Sequence, residues 1–279
     1  MSAYDFGPGD TERIHLIKGE WQIISDIAQS DLVLWFPTDY IVADGSSPDA
    51  VSGPSATSNF CAIAHVRPSN VRTLFHHDII EREMDKGIRD EAYRVWIDQN
   101  ISTYTDEGRG EGVGARPRVH VTFVPIVRNN RTIALLTSHK IATPSGYPSV
   151  SDEIYEFAAD TMLSMVHSGL WPDPLTEGNN TQGNPRVIDG IIVLDPSGRV
   201  VVASPNANSM YNRMGMTGYL EKRNLADVTR AMLPAGEQAD ERVLRVVGVL
   251  VFVDEDVLEA PPVVLGETGV VPQKGDRLH

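Results

Sequence analysis

Residues 171–185, WPDPLTEGNNTQGNP, hold three prolines, two glycines and three asparagines, and no other stretch limits the fold so strongly. Proline removes a backbone donor and fixes φ, and glycine and asparagine favour turns, so neither a helix nor a central strand passes through. The chain therefore divides into residues 1–170, a linker over 171–185, and a second unit over 186–279. At ~100–200 residues per domain, the 279 residues suffice for two.

In the first unit, Ile14, Ile17, Trp21, Ile24 and Ala28 recur at three- and four-residue steps, which predicts a helix over 12–29. DLVLWF reads as a short buried strand ended by Pro37, and 43–58 as a Gly/Ser/Pro-rich loop. NFCAIAHVRP predicts a strand and 89–99 a helix. RPRVHVTFVPIVR and RTIALLTSH predict a hairpin turning at Asn129-Asn130, residues that tolerate the left-handed conformation. Ile154, Phe157, Ala158, Met162, Met165 and Val166 mark a helix over 151–168. The order predicts an α+β domain, an antiparallel sheet flanked by helices.

The second unit opens with GIIVLDPSGRVVVASPNANSMYNRMG. Ile191–Leu194 and Val200–Val202 are two strands, joined by Asp195-Pro196-Ser197-Gly198 with type I turn preferences. Ser204 caps a helix whose first residue, Pro205, has no needed donor to lose.

Composition excludes several functions. The formal net charge of −14 opposes extended nucleic-acid binding, and no basic patch offsets it. One cysteine, Cys61, rules out an intramolecular disulfide framework and suits a reducing compartment. The start has no signal-peptide pattern, and no run of ~18 apolar residues could span a bilayer, so a cytoplasmic protein is expected.

Candidate chemistry is sparse. Cys61 and His65 lie four residues apart on one strand, by strict alternation on one face; at ~3.3 Å per residue they stand ~13 Å apart, too far to share a metal or form a nucleophilic pair. His76, His77 and Asp78 are adjacent and read as a polar loop before a helix. His120 and His139 could look into a cavity but read as solvent-facing, like His15 and His167. GRGEGVG over 108–114 lacks the preceding buried strand and following helix of a phosphate loop. Asp254, Glu255 and Asp256 read as an exposed acidic face. No catalytic residue, metal site or required cofactor emerges.

GEWQIISDIAQSDLVLWFP, HVRPSN, VTFVPIVRNNRTIALLTSHK, YEFAADTMLSMVHSGLWPD and DGIIVLDPSGRVVVASPNANSMYNRMGMTGYLEKRNLADVT resemble the sensory half of soluble actinobacterial sensor histidine kinases. The resemblance runs over roughly residues 12–235. It implies a GAF-like domain followed by a PAS-like one, acting as the sensory region of a cytoplasmic two-component kinase. It further implies a homodimer, an unidentified small-molecule signal, and phosphotransfer to a response regulator with an RNA-binding antiterminator output. Residues 241–279 do not match the family pattern. The phosphoacceptor segment and the ATP-binding boxes do not occur in these residues, so ATP belongs only to a kinase domain outside them and no activity of this chain alone is expected. The alternative is a free-standing dimerisation module without a catalytic role. Strand facing and side-chain type single out Trp35, His65, Arg67 and Tyr211 as candidate ligand-binding residues.

Overall fold

A computed structural model describes residues 7–41, 54–108, 117–142, 150–172, 190–232 and 250–253. Most of the 43–58 loop, the 109–114 glycines, the linker from 173 and the acidic residues 254–256 lie outside the described residues. The chain forms two compact units, Met1–Gly146 with Val166–Gly169, and Tyr147–Met165 with Leu170–His279.

The first unit starts with α1, Pro8–Ala28, whose buried stripe contains Ile14, Ile17, Trp21, Ile24 and Ala28. Its beginning is fixed electrostatically. The Asp10 carboxylate, fully buried, accepts from the Gly7 N–H at 3.1 Å and from Arg128 at 3.0 Å, and also from Arg131. A buried carboxylate needs such partners to offset desolvation, so α1 is tied to the hairpin that turns at Asn129-Asn130.

Five strands follow: β1 (Asp31–Pro37), β2 (Phe60–Val66), β3 (Ser102–Asp106), β4 (Val119–Arg128) and β5 (Arg131–Ile141). They form one antiparallel sheet in the order β2-β1-β5-β4-β3. A one-turn helix α2, Thr38–Ile41, follows β1, and α3, Lys86–Asp98, precedes β3. Asn129 and Asn130 take φ of 51° and 59°, the left-handed pair a two-residue hairpin requires. The edge strand β3 is not among the predicted elements: STYTD is polar and partly exposed, and only its pairing with β4 defines it.

Helix α1 lies against β5, β2 and β1. The opposite sheet face carries a separate core of Val33, Trp35, Phe60, Ala62, Phe123 and Leu135, closed by Ala92, Val95 and Trp96 of α3. The connection from β2 to α3 covers the rest, with Leu74, Phe75, Ile79 and Met84 packed on this core. Its end runs beside β2: Glu81 N–H donates to Ala62, Ala62 N–H to Arg82, and Met84 N–H to Phe60.

Strand β2 carries a bulge that corrects the expected facing. Trp35 pairs with Ala62 and Leu34 with Ala64, leaving Ile63 unopposed. One extra residue reverses the alternation beyond it. His65 therefore shares the face of Val33 and Trp35, while Cys61, paired with Phe36, faces the other way.

Helix α4, Val150–Ser168, follows the sheet. Its last turn belongs to the first unit: Arg13 donates to the Val166 carbonyl at 3.4 Å, and His167 Nδ1 donates to the Pro125 carbonyl at 2.9 Å. Pro125 lies beyond Phe123, the last β4 residue that β3 pairs, so its missing donor costs no ladder bond.

In the second unit, β6 (Ile191–Leu194) and β7 (Val200–Ala203) form the expected hairpin, and β8 (Leu250–Val253) pairs with β6 in parallel. The turn closes with Gly198 N–H on the Asp195 carbonyl at 2.9 Å. Ser204 caps α5, Pro205–Arg213, and α6 spans Leu225–Met232. Gly190 has φ of 107°, and a Cβ there would stand 2.9 Å from the Ala207 nitrogen, so glycine is needed on both counts. The core gathers Ile192, Leu194, Ala207, Tyr211, Leu220 and Leu225.

Candidate functional site

Polar groups gather at one end of the sheet face covered by α3 and the 67–85 connection. Asp31 opens β1 and pairs with His139 of β5; two residues on, Val33 pairs with His65 of β2 and Thr137 of β5. The ladder thus places Asp31, His65, Thr137 and His139 in two adjacent rows.

Asp31 is the hub. Its carboxylate accepts from His65 Nε2 at 3.1 Å, the Thr73 hydroxyl at 2.5 Å and the Leu74 N–H at 2.7 Å. Burial pushes its pKa up, but the bonds from His65, Thr73 and Leu74 outweigh burial and hold it below the ordinary carboxylate value. An ionised carboxylate only accepts, so His65 carries a proton on Nε2. The side chains of both residues are 2% exposed, and His65 Nδ1 is buried without a hydrogen-bond partner among the described residues.

A second chain of bonds runs beside it. Trp35 Nε1 donates to Thr137 Oγ1 at 2.7 Å, and Thr137 Oγ1 lies 2.8 Å from His139 Nε2. The Thr137 hydroxyl also has the Val33 carbonyl as an acceptor, at 3.5 Å. Burial drives the His139 pKa down to about 4, opposed by the Asp31 carboxylate and reinforced by His65. His139 is 5% exposed, which corrects the solvent-facing expectation; the covering connection shields it.

Phe75 joins the two groups. Its ring stands 5.4 Å from the His65 ring and 5.1 Å from the His139 ring, at interplanar angles of 90° and 79°. The segment carrying it is pinned from several sides. Arg67, exposed, donates to the carbonyls of Phe75 and His77 at 3.1 Å each. Asp26 of α1 accepts from the Ser69 N–H at 2.6 Å and from the Ser69 hydroxyl at 2.9 Å.

The structure thus brings Trp35 and His65 into one cluster and makes Arg67 a brace of the connection over it. Tyr211 belongs to the second unit, where it is 2% exposed in the core. Asp31, Thr137 and Phe75 are not among the residues that the sequence singles out. The available sign was polar Thr137 and His139 alternating with Leu135 on the inward side of an otherwise apolar strand.

The cluster suits binding better than catalysis. The Thr73 hydroxyl donates to the carboxylate rather than to an imidazole, so no base activates it. Burial, Glu81 and Glu83 all raise the Cys61 pKa, leaving a thiol rather than a thiolate. Among the described residues, no three His, Cys, Asp or Glu side chains are placed to hold one metal ion, and no helix is long and apolar enough to cross a membrane. His76, His77 and Asp78 are exposed.

The sequence profile of "Histidine kinase PdtaS, GAF domain" matches residues 1–159, more than half of the chain. The chain belongs to this family. PdtaS sensor histidine kinases of Mycolicibacterium smegmatis and Mycobacterium tuberculosis are 28% and 29% identical to it over 242 and 241 residues. Those matches cover 86% and 84% of this chain but only 45% and 43% of the relatives, so the chain spans less than half of their length. A solved structure, the sensor region of a sensor histidine kinase, superposes with a TM-score of 0.55 at 25% identity, covering 81% of this chain and 70% of that one. The first unit is accordingly the sensory GAF region of a PdtaS-type histidine kinase, and the Asp31–His65–His139 cluster lies inside it.

Proposed function

We propose that this chain senses a small molecule for a cytoplasmic two-component histidine kinase, works as a homodimer, and controls autophosphorylation by a kinase region outside these residues. Phosphotransfer would then pass to a response regulator. Residues 186–279 are read as a PAS-like domain, with the domain boundary in the 171–185 linker. Candidate ligand contacts are Trp35, His65, Arg67 and, in the second unit, Tyr211; no membrane or direct nucleic-acid contact is included.

The observation that carries this reading is the buried, partly unsatisfied polar cluster on the inner sheet face of a sensory GAF region. A stability-only core has little use for a carboxylate and two imidazoles in such a place, because polar burial costs free energy unless every group is paired. A route outward supports the reading. Strand β5 carries Thr137 and His139, it pairs with β4, and the β4 carbonyl of Pro125 receives His167 at the end of α4. A ligand favouring one arrangement of the cluster would shift the helix end in proportion to its differential affinity.

The test is a chimera in which this chain replaces the matching stretch of the M. smegmatis kinase, assayed for ATP-dependent histidine phosphorylation. Asp31→Asn is expected to change the autophosphorylation rate several-fold. An unchanged rate, with the chimera folded and active, overturns sensory control by this cluster.

A further inference from the structure

Phe75 occupies an unusual seat. Its ring packs against both the His65 and the His139 imidazole, close to perpendicular to each. One of those imidazoles has a buried nitrogen, Nδ1, that nothing among the described residues satisfies. A buried acceptor without a partner is costly, and a phenyl ring supplies no donor. The ring also comes from a connection rather than from the sheet, and it is only partly buried, whereas Trp35 and Phe123 on the strands are buried.

We propose that Phe75 is an internal plug in a ligand slot, and that the slot's ligand is a small planar molecule whose N–H or O–H donates to His65 Nδ1. This rests on the sensory reading above and names the ligand chemistry of that site. Because Nε2 of His65 donates to Asp31, a neutral imidazole leaves Nδ1 as an acceptor, so a donor-bearing ligand is selected over an isosteric molecule without one. The two imidazole rings that Phe75 packs against flank the slot, which favours a flat ligand. Displacing Phe75 has a mechanical consequence. Asp31 holds both His65 and the backbone N–H of Leu74, the residue before Phe75, so recognition at the imidazole and movement of the connection share one carboxylate.

The probes are indole and indene, which have nearly the same shape but differ in that only indole carries an N–H. In the full chain with Phe75→Ala, ligand-observed and imidazole ¹⁵N NMR titrations are expected to show indole binding about tenfold more tightly than indene, the size of one buried hydrogen bond. Indole should move the His65 Nδ1 resonance, and wild type should bind indole more weakly than the variant because Phe75 must first leave. The preference should disappear in Phe75→Ala/His65→Leu. Equal affinity for the two probes, no binding of either, or a preference that survives loss of His65 overturns the proposal. Should the Ala variant not fold, Phe75→Leu is titrated with the same pair and judged by the same outcomes. If the preference is present while the chimera's phosphorylation ignores Asp31→Asn, the slot stands and sensory control falls; the reverse pattern removes the plug alone.

Discussion

Between pH 6.5 and 4, His139 meets a proton that the unfolded chain accepts and the folded chain refuses. Its folded pKa is about 4 against an ordinary 6.5, because protonating it places a charge in a buried site. In that window the unfolded state binds more protons, so stability falls as pH falls; below about pH 4 both states are protonated and this loss stops. At 1.36 kcal/mol per pKa unit the full loss is about 3 kcal/mol, of which about 2 is spent by pH 5. Asp31 acts in a different window. Its folded pKa is lowered, so its contribution is present above the ordinary carboxylate value and is lost only as pH falls below it. Urea unfolding of wild type at pH 7 and pH 5 should therefore show a lower midpoint at pH 5. His139→Gln, which keeps a polar partner for Thr137 but cannot titrate, should nearly abolish that difference.

Ser204 joins two elements of the second unit. Its hydroxyl accepts from the Ile191 N–H at 2.9 Å and the Ala207 N–H at 3.3 Å, so one side chain both ends the β6–β7 hairpin and caps α5. Ser204→Ala leaves a buried strand donor unpaired as well as removing the cap, and should destabilise the second unit by about 1–2 kcal/mol in urea unfolding. This cap was legible in the sequence, as were the Asn129-Asn130 turn and the stripe of α1, because each depends on neighbours within a few residues. What was not legible depends on distant pairing. STYTD becomes a strand only because β4 offers it an edge, and nothing local to Ile63 announces a bulge. Without that bulge His65 would face away from Asp31. His139 looked exposed near the end of an apolar run, since the segment that covers it is more than fifty residues earlier in the chain.

At the scale of the whole molecule, the inner site and the outgoing helix end of the sensory region are parts of one sheet-based assembly. A dimer is the expected working form, and native mass spectrometry should find the chain at twice its 30.6 kDa mass. Hydrogen exchange on the full chain, comparing wild type with Asp31→Asn, reads the coupling between the buried cluster and the end of α4. Asparagine cannot accept all three donors that now converge on the carboxylate, so the 67–80 segment should exchange faster. If the cluster communicates with the exit helix, amides near Met165–Leu170 should also change, while Leu135 and Leu136 in mid-sheet, as the reference for global opening, stay protected. Faster exchange confined to the 67–80 segment, with the end of α4 indistinguishable from wild type, would contradict that coupling and leave a static scaffold in its place.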